Sequence, residues 1–226
     1  MQPVFSIEES LRFGWKKTKE HSKLIFQVLL VLFALQVVSA IAQKVLAGTL
    51  IGGLASLALA VAGIIVGTGF TLIMLKIAKG EAVVFKDIVP PMRLVWYVFL
   101  ASLLVGILTV AGLILLIIPG IYFALRFSMV RFAVLDGSGV MESFSKSTAL
   151  TNGVKWPLLG FFAVVVLLNV LGAIALMIGL LITIPVTMIA FSHVYLQLAK
   201  KAPAAQAAAP APMAHDHDHS DPNHTH

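Results

Sequence analysis

Between Arg93 and Arg131 the chain reads LVWYVFLASLLVGILTVAGLILLIIPGIYFALRFSMV, 37 residues in which only Arg126 carries a formal charge. A helix rising 1.5 Å per residue needs roughly 20 residues to cross about 30 Å of hydrocarbon, so this block is long enough to go out and return. The neighbouring blocks read the same way: Lys23 to Lys76 encloses 52 residues with Lys44 as their one charge, and Lys155 to Lys200 encloses 44 with none. Runs such as Leu113 to Ile118 lack the alternation of a membrane β-strand, whereas a helix satisfies its own backbone in lipid. The expected fold is an all-α integral membrane protein of six transmembrane helices in three helical hairpins, at about 24–43, 54–76, 94–111, 114–133, 156–175 and 178–199.

Composition supports this reading. The 226 residues are 59% hydrophobic and 12% charged, with a mean hydropathy of +0.99, against about half apolar and about a quarter charged in a soluble domain. The absence of cysteine excludes disulfides and thiolate metal sites. The formal charge is +6, and residues 1–201 hold all sixteen bases but only seven acids. Fourteen of the bases fall at the N-terminus, between hairpins or after the last span, and Lys44 alone lies on the other side. The positive-inside rule then puts both termini in the cytoplasm, and the expected location is the plasma (inner) membrane. Trp15, Trp96 and Trp156 lie near the start of each hairpin, as interfacial aromatics do. Glu8, Glu9 and Glu20 make residues before Ala40-Ile41-Ala42 unlike a basic secretory leader.

Outside the spans, Ser6-Ile7-Glu8-Glu9 has capping-box spacing and opens an amphipathic helix with Ile7, Leu11, Gly14 and Trp15 on one face. Its Arg12, Lys16, Lys17, Lys19 and Lys23 form an expected lipid-headgroup cluster, so the expected partner is the anionic inner leaflet. A second surface helix is predicted within 137–155, with Val140, Met141, Phe144, Thr148 and Thr151 along one side and Asn152-Gly153 as its stop. Glu9-Ser10-Leu11 and Glu142-Ser143-Phe144 occupy similar places before a hairpin and suggest an internal repeat. The loop from Gly80 to Met92 carries a short helical segment around Phe85 to Ile88. Each return helix contains breakers, Gly67 and Gly69, then Pro119 and Gly120, then Pro185, and is expected to kink there. Gly63 and Gly67 have GxxxG spacing, which admits a neighbouring helix or a second copy of the chain. After Lys201 an Ala/Pro/His-rich tail, 202–226, reads as disordered. Its His215, His217 and His219 are a candidate metal set that lacks a scaffold.

No nucleophile elbow, P-loop, zinc-protease motif, cofactor motif or nucleic-acid patch is present in the sequence, so an enzyme is not expected. Intramembrane polar candidates are Arg126, Asn169 and His193, since an ionisable residue in a span is costly. Arg126 reads either as a functional group or as a side chain that snorkels to lipid phosphate.

Ile118-Pro119-Gly120-Ile121-Tyr122, Arg126, Asp136-Gly137, Ser143, Ser147, Leu150, Thr151, Gly153 and Trp156 carry a resemblance. Together with Phe13-Gly14-Trp15-Lys16, they resemble the membrane domain of the glycerophosphoryl diester phosphodiesterase family and related uncharacterised bacterial six-helix membrane proteins. The resemblance implies a multi-span domain that sometimes precedes a phosphodiesterase barrel. The histidines and carboxylates of such a barrel are missing here, so that activity is not carried over. The resulting expectation is a non-enzymatic membrane protein, a lipid-interacting or membrane-organising module. The alternative is a small transporter or channel whose kinked helices line a path.

Overall fold

The computed structural model describes residues 5–115, 117–174 and 179–207, and these are helical throughout apart from turns. In chain order the helices are α1 (Ile7–Glu20), α2 (Ser22–Val45), α3 (Leu50–Lys79), α4 (Met92–Leu115) and α5 (Ile117–Arg126). They continue with α6 (Val130–Leu135), α7 (Val140–Thr151), α8 (Lys155–Ile174) and α9 (Leu180–Ala207). A 3-10 turn, Phe85–Ile88, stands where a short helical segment is predicted. Among the described residues, five helices are long and apolar enough to cross a membrane: α2, α3, Met92–Ile114 of α4, α8, and Leu180–Lys201 of α9.

The expected fourth span differs. Residues 114–133 are not one helix: α4 runs on to Leu115, α5 stops at Arg126, and Phe127-Ser128-Met129 turn before α6. Pro119 is the third residue of α5, in the first turn, where its missing N–H has no intrahelical acceptor to lose. The other predicted kink residues lie inside continuous helices, Gly67 and Gly69 in α3 and Pro185 in α9. At Gly69 a Cβ would collide with the Ile88 carbonyl, so the 3-10 turn sits directly on α3 there. Gly120 lies against Leu113, and Gly112 against Gly120 and Phe123, which lets α4 and α5 close together. Gly172 meets Gly179 and Thr183 in the same manner between α8 and α9. Gly52 lies against Leu46 at a tight first turn whose Gly48 has φ +75°. Gly63 and Gly67 face open space, and among the described residues nothing lies within 4 Å of a Cβ added at either.

Burial concentrates at the end of the bundle that carries the basic loops. One core gathers Val98, Ala101, Leu158, Phe161, Val194 and Tyr195 around α6, five of whose six residues are buried. The other joins the start of α2, the end of α3 and Ile88, with Val28, Ile73 and Met74 enclosed. Helix α9 contributes to both. At the opposite end Val45, Leu50, Ile51, Ile114 and Ile174 are exposed, the surface a hydrocarbon solvent covers. The molecule is thus a packed base from which apolar helices extend.

Helix α1 does not simply lie on this base. It packs along α9, with Ser10 and Gly14 buried; a Cβ on Gly14 would strike the Val186 carbonyl and crowd Ala190. Trp15, expected on the apolar face, is instead 46% exposed beneath Lys19, because one helical step turns it away from α9. Helix α7 is likewise rotated from expectation: Met141 is 76% exposed, and Ser143, Ser147, Leu150 and Thr151 are the buried face. The two serines on which the suggested repeat rests are placed alike. Ser10 and Ser143 are both fully buried, each donates to the carbonyl four residues back, Ser6 and Gly139, at 2.8 Å, and both helices contact α9.

Candidate functional site

The break between α5 and α6 is held open by α7. Ser147 Oγ donates to the Arg126 carbonyl at 2.8 Å and accepts from the Met129 N–H at 3.3 Å. Thr151 Oγ1 also reaches the Arg126 carbonyl, at 3.2 Å. An unbroken helix would give that carbonyl the Val130 N–H; here Val130 N–H bonds Phe127 instead. The hydroxyls spaced four apart on α7 therefore replace backbone partners at a helix end, where orphan groups must be satisfied. Helix α6 then leads to Asp136, whose carboxylate pairs with Lys79 at 2.5 Å and Lys146 at 3.5 Å and accepts from Tyr195 at 2.8 Å. Burial raises the Asp136 pKa, but the Lys79 pair and the Tyr195 hydroxyl outweigh it and leave it below the usual carboxylate value. These contacts tie α3, α7 and α9 to the exit of the break.

Two cationic grooves flank the break, and Phe127 lines both. In the first, Arg126 Nε donates to Thr148 at 3.3 Å and its Nη1 to the Tyr122 hydroxyl at 3.4 Å. Lys155 donates to the same hydroxyl at 3.1 Å and lies over the Tyr122 ring at 4.3 Å. Among the described residues, neither Arg126 nor Lys155 has a carboxylate partner. Arg126 opens onto a cavity of about 610 Å³ walled by Leu104, Leu108, Met141 and Phe144, with Ser145, Thr148 and Asn152 as polar groups. The second groove, about 490 Å³, lies between α4, α6, α8 and α9 and contains Arg131.

The other sequence candidates are dispersed. Asn169 Nδ2 donates to the Val165 carbonyl at 2.8 Å and to Thr187 on α9 at 3.4 Å, an interhelical bond. His193 stacks on Phe13 of α1, with ring centroids 4.1 Å apart, and its Nδ1 has no protein partner. Among the described residues, neither lines either of the two grooves beside the break. In the basic cluster, Lys17 pairs with Glu20 at 2.7 Å, while Arg12, Lys16, Lys19 and Lys23 are exposed. His215, His217 and His219 lie outside the described residues, and among those described no three His, Asp or Glu side chains converge.

Sequence reasoning gave no role to Arg131 or Lys155, and it named Tyr122, Ser147 and Thr151 without seeing the cation pair or the clasp they form. The available signal for the clasp was the spacing Ser143, Ser147, Thr151, a polar stripe too small and too regular for a solvated face. No family model matches the chain, and no curated protein or solved structure matches it either.

Proposed function

We propose that the chain is a non-enzymatic, multi-pass module of a bacterial inner membrane that holds anionic lipid at the cytoplasmic leaflet. On this reading it crosses six times as three hairpins, with the α5–α6 pair as the broken fourth crossing and both termini cytoplasmic. The observation that carries the proposal is the pair of cations on one hydroxyl. Arg126 and Lys155 converge on Tyr122 without a carboxylate among the described residues, beside a cavity whose walls are largely leucine, methionine and phenylalanine. Two like charges so placed repel each other, and a phosphate between them would replace repulsion with charge-assisted hydrogen bonds. Exposed Arg12, Lys16, Lys19 and Lys23 add a diffuse attraction of roughly 1 kcal/mol per charge near an anionic surface.

Native mass spectrometry of the protein released from mixed phosphatidylglycerol and phosphatidylcholine nanodiscs tests this. The wild type should retain phosphatidylglycerol selectively, and Arg126→Gln with Lys155→Gln should lose about tenfold of that retention. Equal retention of both lipids would overturn the reading. Small-solute flux in liposomes, abolished by Arg126→Gln, would replace it with the transporter.

A further inference from the structure

The second groove has the form of a trough with a cation at one end. Its floor is a single face of α4, from Ala101 and Ser102 through Val105 and Gly106 to Thr109 and Val110. Nine residues of helical rise make this floor about 13 Å long. Phe162 and Phe191, from α8 and α9, form a wall, and Arg131 lies at the Ser102 end, donating to its hydroxyl at 3.4 Å. The groove lining contains no acidic side chain, and among the described residues no carboxylate pairs with Arg131. Arg131 is also the one residue of α6 that is not buried, so α6 places its only charge in the trough while its other five side chains fill the core.

We infer that this trough is a second lipid site, occupied by one acyl chain of a phospholipid with a net negative headgroup, its phosphate on Arg131. Charge complementarity selects the headgroup: a guanidinium without a carboxylate neighbour matches a phosphate bidentately, and a net negative lipid leaves no uncompensated charge. The walls select the chain, because a soluble anion would leave the phenylalanine and valine surface in water. The α5–α6 break makes this possible by exposing Arg131 beside α4, on the opposite side of Phe127 from Arg126. The site deepens the lipid-binding reading and rests on it, but it is a separate groove with its own residues.

Phosphatidylglycerol bearing a photoreactive group near the acyl terminus, crosslinked to the full chain in nanodiscs and mapped by peptide mass spectrometry, tests the assignment. Adducts are expected at Val105–Val110, and Arg131→Met should reduce them about tenfold while Arg131→Lys restores most of the yield. Gly106→Leu provides a second variant: nothing lies within 4 Å of a Cβ at Gly106, so leucine enters open space and fills the trough without disturbing the helix packing. It should block these adducts with α-helix content unchanged. Adducts unaffected by both Arg131→Met and Gly106→Leu, or equally abundant with a phosphatidylcholine probe carrying the same photoreactive group, would overturn the site. If the wild type still retains phosphatidylglycerol selectively in that case, the Arg126 reading stands and only the trough fails; if selective retention is lost too, both fail.

Discussion

Replacing Ser147 by alanine removes the clasp from the helix break and leaves every apolar contact in place. The Met129 N–H then has no acceptor in a residue that is wholly buried, which costs about 1–3 kcal/mol. The Arg126 carbonyl loses its 2.8 Å donor but keeps Thr151 at 3.2 Å, so that loss is limited to about 0.5 kcal/mol, the low end for a single bond. Alanine returns about 0.5 kcal/mol through its better helix propensity in α7. The net expectation is about 2 kcal/mol, close to a thirtyfold fall in the folded-to-unfolded ratio. Titration from mild detergent into denaturing detergent, followed by far-ultraviolet circular dichroism, measures it. Ser145→Ala, on the exposed side of the same helix, is the control and should be neutral or slightly stabilising. Adding Thr151→Ala to Ser147→Ala should cost more than Thr151→Ala alone, because the Arg126 carbonyl then loses both donors. A Ser147→Ala protein as stable as the Ser145→Ala control would refute the clasp.

Two further outcomes follow from the same packing. Because Asp136 has a depressed pKa in the folded chain, its contribution is fully present above the ordinary carboxylate value, about 3.9, and is lost as pH falls through the lower folded value; Asp136→Asn should cost about 2 kcal/mol at neutral pH and flatten the acid limb of a stability–pH profile. Gly14→Leu should undock α1 at a cost of about 1–3 kcal/mol and speed tryptic cleavage at Arg12 and Lys16, whereas Gly160→Ala, whose added Cβ meets only Ile7 at ordinary contact distance, should not; equal cleavage of the two would show that α1 does not depend on its contact with α9.

The same contacts show where sequence reading succeeded and where it stopped. The five long apolar helices, the 3-10 turn at Phe85–Ile88 and the serine N-cap of α1 are legible, because each depends on residues within a few turns or on the scarcity of charge over twenty. The face of α7 was not legible. Its largest apolar residues, Val140, Met141 and Phe144, suggested one buried side, yet the buried side carries serines and threonine because what it meets is a broken helix with backbone groups to satisfy. Arg126 was recognisable as unusual and Tyr122 stands one turn before it on α5, but Lys155 reaches the same hydroxyl from α8.

What the sequence by itself determined is therefore the helical, membrane-compatible class of the chain and the concentration of positive charge at one end. Both are sums over local composition, and hydrophobic transfer and backbone satisfaction in lipid act on such sums. Only the tertiary structure decided where the fourth apolar run breaks and what the break exposes. The Arg126 carbonyl has a choice between the Val130 N–H four residues on and hydroxyls more than twenty residues away, and nothing local favours the distant partner. Docking of α7 brings Ser147 and Thr151 within hydrogen-bonding distance, and the two arginines consequently face separate grooves on either side of Phe127.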